Sequence, residues 1–298
     1  MWTTKEIPDL RGRTAIVTGS NTGIGYETAL ALYKAGANVI AACRDEIKAK
    51  AAINKMKKKK GDGLLSIGIL DLASLDSIRQ FATKFISENQ KLHLLINNAG
   101  VASPPFSKTN EGFEMQFGVN FLGHFELTGL LYQPLNSTED SRVVTLSSNG
   151  YQNAQIDFDN LKSGKDYNPL REYRQSKLAN LIFSIELDRR IKAKNHKILS
   201  IAAQPGANNT ELTRHLSEEE IAIGKQRLGD FMEPWQGALS ALFAATSNEA
   251  IGGNMYEPHE QGLRGYPVKA RINDNATNEQ TAIKLWELAE NATGVIYP

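Results

Sequence analysis

Tyr173 and Lys177 stand four residues apart. On a helix that spacing puts a phenol and an ammonium one turn apart on the same face. A nearby ammonium favours the phenolate and lowers a tyrosine pKa from its ordinary value of about 10. Such a tyrosine can exchange a proton with an alcohol or a carbonyl near neutral pH. The pair alone is a weak signal, because nine tyrosines in 298 residues give roughly 0.6 such spacings by chance. Context adds to it. Ser147 and Ser148 end a short apolar run upstream, and a serine hydroxyl there can hydrogen-bond a reacting oxygen. Ordinary loop-start polarity is the competing reading of both serines.

A second group of residues suits an anion. Thr14 to Thr18 is a β-branched, apolar run, followed by glycines at 19, 23 and 25 and then by helical spacing from Ile24 to Ala35. Strand, glycine-rich turn and helix in that order build a cradle for a diphosphate, here from Gly19, Ser20, Asn21, Gly23, Ile24 and Gly25. Glycine permits positive φ and close backbone approach, and the helix N-terminus offers unpaired N–H groups and a positive dipole end. The pattern is Thr-Gly-x-x-x-Gly-x-Gly, not G-x-G-x-x-G. Arg44 lies nineteen residues after Gly25. An acid there would hold the ribose 2′-OH of NAD, whereas an arginine suits a 2′-phosphate. A solvated arginine paired with the adjacent Asp45 fits equally. Asn120 is polar within an apolar helix, so it needs a partner, structural or functional. The five histidines have no metal-ligand spacing, and no metal is expected.

Strands alternating with helices must position these groups. The runs Thr14–Thr18, Asn38–Ala42, Leu64–Leu70, Leu92–Ile96, Arg142–Leu146 and Lys197–Ala203 read as strands, with a last one at Gly253–Tyr256. Helices are expected between them, including Ser74–Asn89, Gly112–Leu131 and Glu172–Ala193, with Gly61 capping a helix that ends in Lys57–Lys60. This order predicts a doubly wound, Rossmann-type parallel sheet covered on both faces, a three-layer α/β single domain over residues 1–298. Gly19, Arg44, Asp71, Asn97, Ser148 and Pro205 all fall just past a strand's C-terminal end, where such sheets bind ligands. Periodicity weakens after residue 207. Ser217–Arg227, Pro234–Thr246 and Asn278–Ala289 still look helical.

Composition excludes other classes. The net charge is +1, so no global field favours nucleic acid or an anionic membrane. A single cysteine, Cys43, allows no internal disulfide and fits a reducing compartment. No apolar run approaches the ~20 residues of a membrane span, and the polar N-terminus is no signal peptide. A cytoplasmic location is expected.

Taken together, Thr18-Gly19-x-x-x-Gly23-x-Gly25, Asp71-Leu72, Asn97-Asn98-Ala99-Gly100, Asn120, Ser148, Tyr173-x-x-x-Lys177 and Pro205-Gly206 resemble the short-chain dehydrogenase/reductase family, in its smaller, classical type, over about residues 12–210. Ser148 and Tyr173 are 25 residues apart, about twice the family's usual separation. That insertion, Ala42-Cys43-Arg44-Asp45, Ser176-Lys177-Leu178-Ala179-Asn180 and Leu285-Trp286-Glu287 look like the retinol dehydrogenase and protochlorophyllide reductase branch.

The resemblance implies roles. Tyr173 would be the acid/base, and Lys177 would lower its pKa and bind the nicotinamide ribose. Ser148 would hold the substrate oxygen, and Asn120 would support a water relay to Lys177. Asp71 and Leu72 would lie near adenine; Asn98, Ala99 and Gly100 would line the cofactor; Pro205, Gly206 and Thr210 would meet the nicotinamide end. The expected protein is an oxidoreductase preferring NADP(H), with NAD(H) possible, acting on a small hydrophobic carbonyl or alcohol. Homo-oligomers are common in the family. The alternative is a dinucleotide-binding regulator without turnover. Residues 207–232 are expected to form a substrate loop, a lid carrying Leu212, Leu216, Ile221, Phe231 and Met232, with Phe106 and Tyr151 completing an apolar pocket.

Overall fold

The computed structural model describes residues 1–162, 166–210, 219, 222–224, 226 and 229–298. Eight strands form one sheet in the order β3-β2-β1-β4-β5-β6-β7-β8. They are β1 Thr14–Thr18, β2 Asn38–Cys43, β3 Leu64–Ile69, β4 Leu94–Asn97, β5 Arg142–Leu146, β6 Leu199–Ala203, β7 Met255–Glu260 and β8 Arg264–Lys269. Only the β7–β8 pair is antiparallel. The order reverses between β1 and β4, and the cleft described below opens there.

Alternation along the strands feeds two cores. Ile16, Leu95 and Val143 enter one; Ala15, Val17, Leu94, Ile96 and Val144 enter the other. The first core is covered by α3 (Leu75–Glu88), α5 (Gly123–Leu130) and α7 (Pro169–Ala193), the second by α1 (Gly23–Lys34), α2 (Glu46–Lys58) and α8 (Pro234–Thr246). In α3 the buried residues are Ile78, Phe81, Ala82 and Phe85, as the spacing predicts. Ser74 caps its start by accepting from the Ser77 amide.

Four expectations change. The helix expected over 112–131 is interrupted: α4 (Met115–Phe117) leads into a π turn at Gly118–Leu122 and only then into α5. Gly118 presses on Thr109 and Gly123 on the Leu72 carbonyl, contacts a straight helix with side chains there would not permit. Helix α2 ends at Lys58 with Lys59 as its C-cap, and Lys60, not Gly61, takes the left-handed position, with φ 50°. Gly61 instead packs under the Tyr33 ring. The last strand of the sheet, β8, was not expected at all. Tyr151 is fully buried rather than facing a pocket; its hydroxyl donates to the Arg271 carbonyl at 3.3 Å, and Asn275 donates to its own carbonyl.

Much of the helix expected at 217–227, and half of the expected lid including Leu212, Leu216 and Ile221, lies outside the described residues. The ends of that segment are joined: the Met232 amide donates to Ala207 and the Asn209 amide to Met232. Met232 itself is buried.

An aromatic column runs beside the π turn. Phe113, Phe117, Phe121 and Phe125 follow one another at spacings of four, with centroids 5.1–6.2 Å apart. Helix α10 (Glu279–Thr293), which follows the short α9 (Asp274–Thr277), adds Trp286, 5.0 Å from Phe125 and 5.9 Å from Phe183. Tyr297 closes the group at 5.2 Å from Trp286. Trp286→Ala is expected to cost about 3–5 kcal/mol of unfolding free energy, from lost burial and the cavity left behind. Denaturant unfolding with an unchanged m-value measures it.

Candidate active site

The glycine cradle is built as its sequence dictates. Gly19 has φ 66°, and a Cβ there would lie 2.9 Å from Ala99 Cα. A Cβ on Gly25 would run into the Asn98 amide and the Gly19 carbonyl. Both positions therefore hold only hydrogen. Thr22 precedes α1 without capping it through its side chain, and no acid occupies the first turn. The amides at this helix start are left for an anion, so the residues present fit a dinucleotide diphosphate.

A cleft of about 390 Å³ runs along the strand ends from this cradle. Gly19, Asn21, Gly23, Ile24 and Gly25 line its floor. Arg44, Asp71 and Leu72 line one end; Asn98, Ala99 and Gly100 the middle; Tyr173, Lys177, Pro205 and Thr210 the other end. Ser20 is in the cradle turn, but its buried side chain faces the Cys43 sulfur at 3.6 Å. Gly206 is turned away from the cleft, against the Leu263 carbonyl.

The two serines are separated by the structure. Ser147 is buried and its hydroxyl donates to the Lys177 carbonyl at 2.8 Å, a structural bond tying β5 to α7. Ser148 is the serine whose hydroxyl acts on the Tyr173 phenol, pulling its pKa down against burial. Its oxygen also accepts from the Gly150 amide at 3.2 Å. Helix α7 starts at an Asn168 cap with proline in its first turn, which sets where Tyr173 and Lys177 fall.

Lys177 is 4% exposed, and its Nζ donates to the Leu146 carbonyl at 3.1 Å, an oxygen that also accepts from Asn180. Burial pulls the Lys177 pKa down to about 8. Nζ stands 5.9 Å from the Tyr173 ring centroid. The sequence expectation of a lowered Tyr173 pKa is reversed. Burial pushes the phenol up, and the Ser148 hydroxyl only partly offsets it.

Asn120 is buried on the π turn. Its Oδ1 accepts from the Val101 amide at 2.8 Å; its Nδ2 donates to the Val101 carbonyl and to Ser176 Oγ at 3.0 and 2.9 Å. It thus clamps the chain just after Gly100 and links it to α7. Gly100 has both Asn120 Oδ1 and Lys177 Nζ beside it, 3.2 and 3.5 Å from where a Cβ would stand.

At the other end Arg44 is exposed and, among the described residues, has no ion-pair partner within 4 Å. Asp45 does not hold it: its carboxylate caps α2 by accepting from the Lys48 amide at 3.0 Å. Lys48 lines the cleft beside Arg44. Sequence reading missed Lys48, although its place in the first turn after Arg44 was visible. It also missed the side chain of Thr18, which accepts from the amides of Asn98 and Ala99, both at 2.9 Å.

Known proteins resemble the chain along most of its length. A family model described as short chain dehydrogenase matches residues 13–221. Mouse retinol dehydrogenase 11 is 39% identical over 289 residues, covering 96% of this chain and 88% of that protein. Human polyprenol dehydrogenase is 37% identical over 296 residues, covering 97% and 87%. A crystal structure of an uncharacterized protein from Mycobacterium paratuberculosis matches with TM-score 0.83 and 35% identity, covering 100% of this chain and 99% of that one. The Pseudomonas aeruginosa RhlG/NADP complex shares the fold at TM-score 0.65 and 24% identity, covering 83% and 94%. The chain belongs to the short-chain dehydrogenase/reductase family, in its retinol dehydrogenase-like branch, and is an NAD(P)-dependent oxidoreductase acting on alcohol or carbonyl groups.

Proposed function

We propose that the enzyme prefers NADP(H) and interconverts an apolar carbonyl compound and its alcohol. The observation that carries this reading is that Tyr173 and Lys177 open onto the same cleft as the glycine cradle. Bound NADP(H) supplies or accepts the hydride. The chain's own residues do the rest. Tyr173 passes a proton through its phenol oxygen, Ser148 hydrogen-bonds the reacting oxygen, and Lys177 holds the nicotinamide ribose. Asn120 keeps Gly100 and Val101 in place and supports the proton path to Lys177. Asp71, Leu72, Asn98, Ala99, Pro205 and Thr210 shape the binding surface, and Gly206, with φ 75°, sets the turn beside it. The single buried cysteine supports a cytoplasmic setting.

An apolar substrate is supported by Val101, Met115 and Val119 in the cleft wall; Phe106, expected to complete the pocket, instead packs edge-on to Tyr167 at 5.3 Å and does not line the cleft. The names of two relatives, retinol and polyprenol dehydrogenase, point to apolar alcohols as well. Steady-state assays over hydrophobic and small polar aldehydes and ketones test the reading. Higher kcat/KM for small polar compounds would refute the apolar substrate. Cofactor binding with no turnover across the panel would leave a regulator instead.

The NADP preference is supported by the unpaired guanidinium of Arg44 and by Lys48 next to it. Arg44→Ala is expected to weaken NADPH binding by roughly 10- to 150-fold, the value of a charge-assisted phosphate contact, and to leave NADH binding within about 2-fold. Fluorescence titration of both cofactors decides it. Equal losses would make Arg44 structural, and tighter NADH binding by the wild type would overturn the preference.

A further inference from the structure

His124 has no metal-ligand spacing in the sequence, and its surroundings give it another use. It is fully buried one helical turn after Asn120. Its Nδ1 lies 2.9 Å from the Asn120 carbonyl oxygen, and its Nε2 lies 2.9 Å from Thr18 Oγ1. A carbonyl oxygen only accepts, so Nδ1 carries the proton and Nε2 takes the Thr18 hydroxyl proton. Thr18 Oγ1 then accepts from two amides, Asn98 and Ala99, which completes its hydrogen-bonding capacity. The Ile96 carbonyl is farther from that hydroxyl, at 3.3 Å. One neutral imidazole therefore joins three backbone segments: the end of β1 before Gly19, the Asn98–Ala99 turn after β4, and the π turn bearing Asn120.

We propose that His124 is a positioning residue: its Nδ1–H tautomer fastens the Asn120 turn to Thr18 and so sets the geometry of the cofactor cleft and of the proton path. The inference rests on the roles proposed above for Asn120 and the cradle. Two features support it. The π turn leaves the helix with irregular backbone bonding at Asn120, and such turns keep their shape only when something fixes them. Burial, with the Lys177 ammonium adding to it, holds the imidazole pKa down to about 4, against a weaker opposing pull from the Asn120 carbonyl. The neutral form that the bridge requires is therefore present throughout the working pH range.

Two kinds of measurement test this. Nitrogen-15 NMR of the histidine side chains in wild type should show His124 with its proton on Nδ1 and no titration from pH 8 to pH 5. A proton on Nε2, or titration near pH 6.5, would overturn the bridge whether or not any carbonyl is turned over. The second is a double-mutant cycle with His124→Phe and Thr18→Val, read in NADPH affinity and in kcat. Each single variant should weaken NADPH binding about 10-fold and lower kcat about 10- to 100-fold, with substrate KM within about 3-fold. The double variant should be no worse than Thr18→Val alone, since both remove one connection. Additive losses, or kcat and NADPH affinity within 2-fold of wild type in the folded fraction, would reduce His124 to packing. Should His124→Phe fail to fold, His124→Gln enters the same cycle. A wild type that binds NADPH but reduces nothing would remove the catalytic reading, while the NMR and affinity results still judge the bridge.

Discussion

Tyr173→Phe is expected to lower kcat by about 10²- to 10⁴-fold, the range for loss of a positioned proton donor, while NADPH affinity stays within about 2-fold. The change removes one oxygen from a half-buried ring whose packing stays in place. The loss should fall on the chemical step, so KM moves little and single-turnover hydride transfer slows with kcat. Stopped-flow NADPH oxidation under saturating substrate measures it. A kcat within a few-fold of wild type would remove Tyr173 from proton transfer. In wild type burial holds the phenol pKa up, so Tyr173 is a proton donor at neutral pH, the form that carbonyl reduction needs.

Lys177→Met is expected to abolish detectable turnover, weaken NADPH binding about 10-fold and make the protein more stable. The last point follows from burial. The Lys177 pKa is pulled from an ordinary 10.5 to about 8 in the folded protein. Between those values the unfolded chain binds more protons, so the folded state gains stability as pH rises through that window. Below pH 8 the buried ammonium therefore costs up to about 3 kcal/mol, at 1.36 kcal/mol per pKa unit. Methionine keeps the length of the side chain without the charge. A higher Tm at pH 7, shrinking toward pH 10, is the expected pattern, together with lost activity. A variant less stable than wild type at pH 7 would mean that the bond to the Leu146 carbonyl outweighs desolvation. NADPH affinity unchanged by the substitution would remove the ribose role.

The sequence made the strand ends legible because each of β1 to β6 is a mostly apolar run with a polar or glycine residue at its end or within two residues past it. Gly19, Arg44, Asp71, Asn97, Ser148 and Pro205 could be placed on that basis alone. Strand β8 could not. Arg264-Gly-Tyr-Pro-Val-Lys269 carries a glycine and a proline, alternates poorly, and is an antiparallel edge held by its hairpin rather than by burial. The π turn was hidden for another reason. Phe117, Val119, Phe121 and Leu122 are all buried, so one extra residue in the turn leaves no mark on an apolar pattern that already runs around the helix. Tyr151 was misplaced because a short 3₁₀ turn at Asn149–Asn153 rotates it inward, and neither its type nor its spacing records that. His124 sat at a visible spacing of four from Asn120, but its second partner, Thr18, is 106 residues away.

The β7–β8 hairpin bears on how the molecule comes into being. Its turn gives the Gly262 carbonyl to Asn149, next to Ser148, across 113 residues of chain, and the same oxygen to Gln204. Its Leu263 carbonyl accepts from Ala207, just past Pro205-Gly206. The cradle for the diphosphate is encoded in the first 25 residues, but the reacting end has no finished support until about residue 269 has been made. On the ribosome the chain therefore passes, between the completion of β6 at Ala203 and of β8 at Lys269, through a stage with a nucleotide-binding half and an open β6 edge, a template for mispairing. Late closure by the hairpin makes the last strands a checkpoint: chains cut short of them present phosphate-binding surface without a completed site for hydride transfer.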